Sequence, residues 1–248
     1  MPPKKRTVKK APQQDSTEII NFYLDKKVQK FTTKSINPHF NKHGIKVPFR
    51  GILIGSSGSG KTNLLMNIIR QMADTFNHIY IYTKAQEPLY DYLESQLSTD
   101  LLTIKYDLDD CRKFKEDGYY GQSLCIFDDM CNQSLKEQQC IAELYIRGRK
   151  IAGGISLLYL TQSYYKVPKL IRLQTDYIFI IKVSGARDLN LILSEYSLGA
   201  TKEQLQNMYK YSCVNSTFGS FFLVNLQSTQ DKTYRKNFQE LLQPKDFN

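Results

Sequence analysis

Residues 51–72 read GILIGSSGSGKTNLLMNIIRQM, and this stretch decides the fold. It runs from an apolar segment of strand length through small polar residues and a lysine into an amphipathic segment with helical spacing. Within it, residues 55–62 match the phosphate-binding pattern G-x-x-x-x-G-K-[ST] in full, between a strand and a helix as that pattern requires. The alternative, a glycine-rich turn that happens to precede a lysine, has little support from so complete a match. We predict that the chain binds a nucleoside triphosphate.

The residue types in this loop follow from the chemistry of phosphate binding. Successive backbone N–H groups must point at the phosphates, which requires dihedral angles that glycine adopts without a Cβ in the way. The helix that begins near Gly60 adds unpaired N–H groups and the positive end of its dipole. Lys61 is expected to reach the β/γ oxygens of ATP, and the Thr62 hydroxyl is expected to coordinate Mg²⁺. The expected nucleotide-binding residues are Gly55, Ser56, Ser57, Gly58, Ser59, Gly60, Lys61 and Thr62.

Apolar segments of strand length recur along the chain, and helical patterns separate several of them. Most of these segments lack strict polar–apolar alternation, as expected for strands buried on both faces of a parallel sheet. Strand–helix alternation predicts an α/β fold, here a mostly parallel sheet sandwiched by helices. The predicted strands are 49–55, 77–83, 101–106, 123–128, 155–161, 176–183 and 218–226, and the predicted helices are 61–75, 87–97, 134–147, 186–196 and 202–211.

We predict one domain with an N-terminal extension. Residues 1–14 are basic and rich in Pro and Gln, which predicts a disordered tail. Residues 15–48 are predicted to form a helix that begins at an N-cap within 15–18, followed by a loop over 33–48. Residues 49–248 are predicted to form the P-loop domain, with additional helices and a strand at its C-terminal end. The apolar face of the N-terminal helix would comprise Ile19, Ile20, Tyr23, Leu24 and Val28.

The net charge of +10 is unevenly placed, because five basic residues precede Asp15, the first acid. A basic tail on a mildly basic body favours a polyanionic partner, nucleic acid first. The alternative is a tail that only solubilises the protein or targets it to the nucleus. No run approaches the ~20 apolar residues of a membrane span, and the N-terminus lacks the apolar region of a secretory signal. We therefore expect no membrane partner.

The cysteines are scattered and include no C-x-x-C pair. Their odd number, without a secretory signal, predicts free buried thiols in a reducing compartment. They are Cys111, Cys125, Cys131, Cys140 and Cys213.

Two adjacent acids provide a candidate for the second half of the site. The run 124–127 is apolar and ends in Asp128 and Asp129. An acid at the end of a buried strand can hold a phosphate-bound Mg²⁺ from the side opposite the phosphate loop. Asp128 is therefore the expected metal partner. Asp129 would then orient or deprotonate the attacking water. The alternative for either residue is an N-cap of the next helix.

Paired acids favour hydrolysis over the other reactions that phosphate loops support. A GTPase would normally carry an N-K-x-D stretch after a later strand, and the sequence has none. A small-molecule kinase would usually lack the second acid and would carry an arginine-rich lid. We therefore predict an ATPase.

Two further features are candidates for contact with the γ-phosphate. Gln162 lies in the polar trio 161–163 that follows the apolar run 157–160, and it could report loss of the γ-phosphate, although a polar turn at a strand end is common. Arg147 and Arg149 flank a glycine after the predicted helix 134–147, where one of them could complete a neighbouring subunit's site. Either arginine could instead belong to a solvated helix end.

The segment after Gln162 interleaves aromatic and basic residues. Residues 164–172 read YYKVPKLIR, which suits a surface that tracks a nucleic-acid strand. The same residues equally suit a loop whose tyrosines pack on the edge of the sheet.

In order, GSSGSGKT, CIFDDM, LYIRGRK and YLTQSYYKVPKLIR resemble the genome-packaging ATPases of large double-stranded DNA viruses, their virophages and related transposons. These proteins form the poxvirus A32-like group of the FtsK–HerA superfamily of DNA pumps. The resemblance covers residues 49–183, and its TQSY-K-P-IR part is the most group-specific.

The resemblance implies a RecA-like (ASCE) core that forms a homo-oligomeric ring, pentamer or hexamer, and drives double-stranded DNA into a preformed capsid with ATP and Mg²⁺. It implies phosphate and metal binding by Lys61 and Thr62, an acidic-strand ligand in Asp128, a catalytic carboxylate in Asp129 and a sensor in Gln162. Many superfamily members have glutamate at the position of Asp129, and the shorter aspartate would require the water to sit closer.

The resemblance also implies a place in the virion or in a viral factory in the host cytoplasm, and it leaves room for a capsid or portal-vertex partner. Two other functions remain open from the sequence. One is a helicase or transposition ATPase that acts on DNA without a capsid. The other is a nucleotide-dependent assembly switch in which turnover is incidental.

Overall fold

The computed structural model describes residues 19–32, 34–108, 122–151, 153–228 and 230–248. The chain divides into two compact units, Met1–Lys34 and Ser35–Asn248. The predicted tail 1–14 and the predicted N-cap at 15–18 lie outside the described residues. Residues 35–48 belong to the larger unit, whereas the sequence predicts that they group with the N-terminal helix.

The described part of the smaller unit contains two short helices instead of the predicted continuous one. A 3₁₀ turn spans Phe22–Leu24, and helix α1 spans Lys26–Gln29. The side chain of Asn21 accepts a hydrogen bond from the Tyr23 N–H, and that of Asp25 accepts one from the Lys27 N–H. Such local bonds compete with a continuous helix and restart the turn at each polar residue, which is why the prediction was wrong here.

The larger unit alternates strands and helices as predicted, and the α/β prediction is confirmed. Its strands and helices are, in order, α2 (Phe40–His43), β1 (Arg50–Ile54), α3 (Lys61–Gln71), β2 (His78–Tyr82), α4 (Pro88–Gln96), β3 (Leu102–Lys105), β4 (Ser123–Asp128), α5 (Leu135–Arg147), β5 (Ile155–Thr161), α6 (Lys169–Leu173), β6 (Tyr177–Ile180), α7 (Ala186–Glu195), α8 (Lys202–Tyr209), β7 (Phe222–Asn225), β8 (Tyr234–Lys236) and β9 (Glu240–Leu242). Helix α2 lies in the predicted loop 33–48 and ends at Gly44, which adopts φ +65°.

Within the described residues the strands form one sheet in the order β3-β2-β4-β5-β1-β6-β7-β8-β9. The first six strands in this order are parallel, and β7, β8 and β9 continue the sheet antiparallel. Strand β5 lies between β4 and β1, so the strand that precedes Gln162 separates the acidic strand from the phosphate-loop strand. The strands β8 and β9 were not predicted, because three-residue strands are too short to show a pattern of alternation.

Helices cover both faces of the sheet and bury a hydrophobic layer on each. On one face α3 and α4 contribute Leu64, Leu65, Ile68, Tyr90 and Leu93. On the other face the buried residues come from helices α5 to α8, and they include Ile141, Tyr145, Ile171, Leu193 and Met208. Because both faces are covered, the central strands are apolar throughout, as the predicted lack of alternation required.

The cysteines differ in part from the prediction. Cys125 and Cys213 are buried free thiols, and Cys131 is a half-buried free thiol. Cys140 is disulfide-bonded, so the prediction of free thiols is wrong for this residue. Sequence spacing does not show which cysteines meet in space, and the disulfide removes part of the basis for the expected reducing compartment. Cys111 lies outside the described residues.

None of the described helices is long and apolar enough to cross a membrane.

Candidate nucleotide-binding site

The predicted phosphate loop connects β1 to α3, and its backbone requires glycine at Gly55 and Gly60. Gly60 precedes α3 with φ +96°, a left-handed conformation that favours glycine. At Gly55, a Cβ would lie 2.5 Å from the Ser59 hydroxyl oxygen and 2.6 Å from a side-chain carbon of Ile181. The loop therefore closes tightly on itself before α3 begins.

Hydrogen bonds fix this loop to both neighbouring strands. The Gly55 N–H donates to the carbonyl oxygen of Thr161 at the end of β5 (3.2 Å), and the Ser56 N–H donates to that of Lys182 after β6 (3.0 Å). The Lys61 ammonium donates to the Gly55 carbonyl oxygen (3.3 Å), so the side chain lies across the phosphate loop. The loop is preorganised by the sheet, which suits a phosphate cradle.

The two acids stand at the same edge of the sheet as the phosphate loop, with strand β5 between the acidic strand and β1. Asp128 is the last residue of β4 and pairs in register with Leu160 of β5. Asp129 follows with φ +50°, a left-handed conformation that aspartate tolerates better than most residues. Within the described residues its side chain does not cap the following 3₁₀ turn, and Ser134 caps α5 through a capping box with Glu137. Asp129 therefore precedes the turn without a side-chain capping bond, which gives the N-cap alternative no support.

Asp128 is held by a buried tyrosine that the sequence did not identify. The Tyr90 hydroxyl, on α4, donates to Asp128 Oδ2 at 2.7 Å. Burial raises the pKa of the Asp128 carboxyl to about 6; the bond from Tyr90 opposes this rise, and the charge of Asp129 adds to it. A carboxylate with so high a pKa gains stability when a cation neutralises it.

Gln162 directly contacts the second acid. Its side-chain amide donates to Asp129 Oδ2 at 2.8 Å. The sheet order explains the contact, because Gln162 follows β5 and β5 lies beside β4. The predicted sensor and the predicted water-orienting carboxylate are thus one hydrogen-bonded pair.

Both halves of the predicted site line one cleft of about 530 Å³. The phosphate loop and α3 form one wall, and the acids and Gln162 form the other. Residues that the sequence did not identify also line it, namely Thr83, Lys84, Ala85, Glu87 and Leu89 after β2, and Phe218 before β7. Their positions depend on β2 pairing with β4 and on β7 joining the sheet, which no local pattern indicates.

The donor set of the cleft fits Mg²⁺. The Thr62 hydroxyl and the Asp128 carboxylate are hard oxygen ligands on opposite walls of the cleft. Magnesium is usually held by one or two protein oxygens together with substrate phosphates and water, so a cage of protein ligands is not required. In the described part of the chain, no cluster of three or more His, Cys, Asp or Glu side chains could hold a metal by itself.

The two candidate arginines occupy different environments. Arg147 ends α5 and is exposed. Arg149 donates to both carboxylate oxygens of Asp176 at 2.7 Å, and the Asp176 side chain is only 2% exposed. Burial raises the pKa of Asp176, but hydrogen bonds from Arg50 and Arg149 outweigh this effect and hold the pKa below its ordinary value. Asp176 precedes β6 and lies at the sheet edge opposite the phosphate loop, so Arg149 is occupied in an ion pair within its own subunit.

The aromatic and basic residues after Gln162 divide between the core and the surface. Tyr164 is buried, and its hydroxyl donates to Glu195 at 2.6 Å, as the packing alternative predicted. Tyr165 is 55% exposed, and its ring lies 3.8 Å from the guanidinium carbon of Arg187. Only Tyr165 and its neighbours therefore remain available to a partner.

A family model described as Poxvirus A32 protein matches residues 37–224. The chain belongs to the poxvirus A32 protein family. The resemblance inferred from the motifs is confirmed, and the match extends beyond the predicted 49–183 at both ends.

This A32 family member has viral relatives with a stated role. It is 27% identical over 187 residues to the DNA packaging protein OPG160 of Variola virus, a match that covers 69% of this chain and 67% of that protein. It is 28% identical over 176 residues to the DNA packaging protein OPG160 of Vaccinia virus (strain Copenhagen), which covers 65% of this chain and 63% of that protein.

A solved structure has the same fold. The genome packaging NTPase B204 from Sulfolobus turreted icosahedral virus 2, in complex with ATP-gammaS, matches with a TM-score of 0.56 and 18% identity over 80% of this chain and all of that one. The likeness shows that the sheet and its helices are arranged as in that NTPase.

Proposed function

We propose that this chain is an ATPase that translocates double-stranded DNA into a viral capsid. The observation that carries the proposal is the single cleft in which the phosphate loop faces Asp128, Asp129 and Gln162. The relatives named DNA packaging protein and the structural neighbour named genome packaging NTPase support it. The proposed reaction is hydrolysis of ATP to ADP and phosphate.

The residues of the cleft have separate proposed roles. The loop N–H groups and Lys61 bind the phosphates and stabilise the charge that develops on them. Thr62 and Asp128 hold Mg²⁺, which when bound supplies further neutralisation of the β- and γ-phosphate oxygens. Asp129 orients the attacking water and accepts its proton, while the Gln162 amide fixes the carboxylate of Asp129 in place.

A physical connection leads from this site to the surface. Ser163 and Tyr165 lie within three residues after Gln162. Both donate hydrogen bonds to the Asp188 carboxylate at the start of α7, the Ser163 hydroxyl at 3.3 Å and the Tyr165 N–H at 2.8 Å. A shift of Gln162 on loss of the γ-phosphate would therefore move Tyr165 and its stacked Arg187 together. This pair is our candidate for transmitting the nucleotide state to DNA.

The proposed assembly is a homo-oligomeric ring, pentamer or hexamer, in the virion or in a viral factory in the host cytoplasm. Translocation needs successive subunits to grip DNA in turn, and a ring provides this geometry. A capsid or portal-vertex protein would hold the ring at the particle.

The decisive experiment measures ATP hydrolysis by the purified chain with and without double-stranded DNA, with particle size followed by light scattering. We expect duplex DNA to stimulate hydrolysis. Lys61→Ala should lower the rate at least about 100-fold, because a charged group is lost from the phosphates. Lys202→Ala, which removes an exposed lysine at the start of α8, is the matched control and should hydrolyse ATP normally.

The alternatives give different results in the same assay. Hydrolysis that duplex DNA neither binds nor stimulates would refute translocation. Slow, DNA-independent hydrolysis with ATP-dependent growth of the particle would point to an assembly switch. DNA-stimulated hydrolysis by a protein that never enters particles and binds no capsid protein would point to a helicase or transposition ATPase.

A further inference from the structure

A second hollow adjoins the phosphate cleft, and Phe218 lies between the two. It has a volume of about 310 Å³, at the lower end of the range of about 300–1,000 Å³ for small-molecule sites. Asn63 and Phe218 line both cavities. The remainder of the second hollow comes from the outer side of α3 and from the segments that flank β7 and β8, with Gln71, Phe221, Asn237 and Phe238 among its lining residues.

Phe218 is placed as a binding group would be. Its side chain is 75% exposed, so core packing does not explain the ring. The ring lies against the phosphate loop, because a Cβ built on Gly60 would be 3.0 Å from its outermost carbon. A large exposed aromatic therefore stands at the start of α3, beside the expected phosphates.

The direction of the nucleotide follows from the chemistry of the two cavities. Asp128, Asp129 and Gln162 line the first cleft only, so that cleft holds the γ-phosphate end. The phosphate chain binds at the start of α3, and the ribose and base must leave it on the other side. The second hollow adjoins the cleft through Asn63 and Phe218 and lacks Asp128, Asp129 and Gln162, which makes it the cavity available to the ribose and base.

The lining of the second hollow suits a purine with an exocyclic amine. Asn237 Oδ1 accepts a bond from the Phe221 N–H, which orients the amide and leaves its NH₂ group available. The side-chain amides of Asn63 and Gln71 have no hydrogen-bond partner among the described residues. A carboxamide offers a donor beside an acceptor, which matches the amine and ring nitrogen of adenine. The lining residues include no carboxylate, the group that would pair with the N–H donors of guanine.

We propose that this hollow is the adenine-binding site and that the base stacks on Phe218. The inference rests on the proposed function, since it takes the phosphate cleft to bind a triphosphate. It adds a residue and a cavity that determine which nucleotide the protein uses.

The test separates base recognition from phosphate binding. Calorimetry with Mg²⁺ would give the dissociation constants of a non-hydrolysable ATP analogue, the corresponding GTP analogue and inorganic tripolyphosphate. The variants are Phe218→Ala, Phe218→Trp, which keeps a stacking surface, and Tyr92→Ala, which truncates an exposed aromatic outside both cavities. Thermal unfolding would establish that each variant is folded.

We expect Phe218→Ala to weaken binding of the ATP analogue about 5- to 100-fold, the loss typical of base–aromatic stacking. Its affinity for tripolyphosphate should stay within about twofold of wild type, because no phosphate contact is removed. Phe218→Trp and Tyr92→Ala should bind the ATP analogue as the wild type does.

Three outcomes would overturn the inference. If Phe218→Ala weakens both ligands equally or neither, the ring does not contact the base, while the proposed ATPase stands. Equal affinity of the wild type for the ATP and GTP analogues refutes the adenine assignment alone. A wild type that binds neither the ATP analogue nor tripolyphosphate refutes the site and the proposed function together.

Discussion

Tyr90 shows how a single residue outside the recognised motifs can control the candidate site. Its hydroxyl bonds to Asp128 Oδ2, and burial raises the pKa of this tyrosine, as do the neighbouring carboxylates of Asp128, Glu87 and Asp129. The tyrosine therefore stays a neutral donor and fixes the orientation of the acid that is proposed to hold Mg²⁺. Outer-shell partners of this kind typically change metal affinity or activity by about 10- to 100-fold.

We predict that Tyr90→Phe raises the Mg²⁺ concentration needed for half-maximal ATP hydrolysis by about 10-fold or more. The ring remains buried, so the fold should be unchanged. Tyr92→Phe on the same helix removes a hydroxyl from an exposed ring and should leave the Mg²⁺ dependence unchanged. An unaltered Mg²⁺ dependence in Tyr90→Phe would mean that Asp128 needs no support from α4.

Among the described residues that line the cleft, Asp129 and Glu87 are the carboxylates other than Asp128, the proposed Mg²⁺ ligand. We predict that Asp129→Asn keeps ATP binding but lowers the hydrolysis rate at least about 100-fold, because the proton acceptor is lost. Single-turnover hydrolysis measured beside nucleotide binding checks this. Normal hydrolysis by Asp129→Asn together with its loss in Glu87→Gln would transfer the role to Glu87, which lines the same cleft.

His43 makes stability depend on pH. The side chain is fully buried at the end of α2, and Nδ1 accepts a hydrogen bond from the Ile45 N–H (3.0 Å). Burial, followed by the charges of His39 and Arg235, lowers the pKa of His43 to about 4. As the pH falls from 6.5 to 4, His43 is protonated in the unfolded chain but stays neutral in the folded chain. The free energy of unfolding therefore decreases over this interval.

We predict that His43 alone costs ~2 kcal/mol of unfolding free energy between pH 7 and pH 5. Urea unfolding at the two pH values measures the loss. His43→Asn keeps an acceptor for Ile45 and should lose that much less over the same interval, whereas His39→Asn keeps the buried His43 ring and should retain most of the loss, because burial is the larger cause of the lowered pKa of His43. Equal pH dependence in the wild type and His43→Asn would contradict the prediction.

At the scale of elements, local chemistry determined what the sequence could reveal. The segment β1–loop–α3 was predictable because phosphate binding requires glycines, a lysine and a threonine at fixed spacing within one segment. Strand β4 with its terminal acids was predictable because an apolar run ending in charge is itself a local pattern. Sheet order was not, and so the contact between Gln162 and Asp129 depended on where β5 entered the sheet.

The features that the sequence did not reveal have the same origin. Phe218 lies just before β7 and Tyr90 lies on α4, and both segments are distant from the phosphate loop in sequence. Arg149 resembled Arg147 in the sequence, yet its partner Asp176 stands on another strand. Residues 19–32 showed helical spacing of apolar residues, but two short polar side chains interrupted the helix. Periodicity reports which face a segment could bury, and only tertiary contacts decide whether that face is used.

The end of α5 allows the two arginines to be separated by experiment. Arg149→Ala removes one of the cations that neutralise buried Asp176, while Arg50 remains paired with it. We predict a loss of about 1–3 kcal/mol in the free energy of unfolding for Arg149→Ala and less than about 0.5 kcal/mol for exposed Arg147→Ala, both measured in urea. Equal stability of the two variants would mean that the ion pair is not formed.

For the whole molecule, the question is whether one chain contains a complete site. The cleft provides a phosphate cradle, two acids and an amide, but none of the described residues that line it is an arginine. In related chemistry an arginine supplied from outside the site is worth about 10³–10⁵ in rate. Arg147 is exposed at the end of a helix and is not held by an internal ion pair in the described structure, so it is our candidate for acting on a neighbouring subunit.

We predict that mixing two inactive variants restores part of the ATPase activity. Lys61→Ala lacks a working phosphate cradle but keeps Arg147, and Arg147→Ala keeps the cradle but lacks the arginine for its neighbour. In a mixed ring, each interface that pairs an intact cradle with an intact Arg147 is complete, so activity should rise with the fraction of such interfaces and peak at an intermediate ratio.

Hydrolysis measured across mixing ratios after subunit exchange tests this, with Lys202→Ala in place of Arg147→Ala as the control for dilution. If the activity stays at the level of the separate variants while light scattering shows mixed particles, each chain works alone and Arg147 has no role in its neighbour's site.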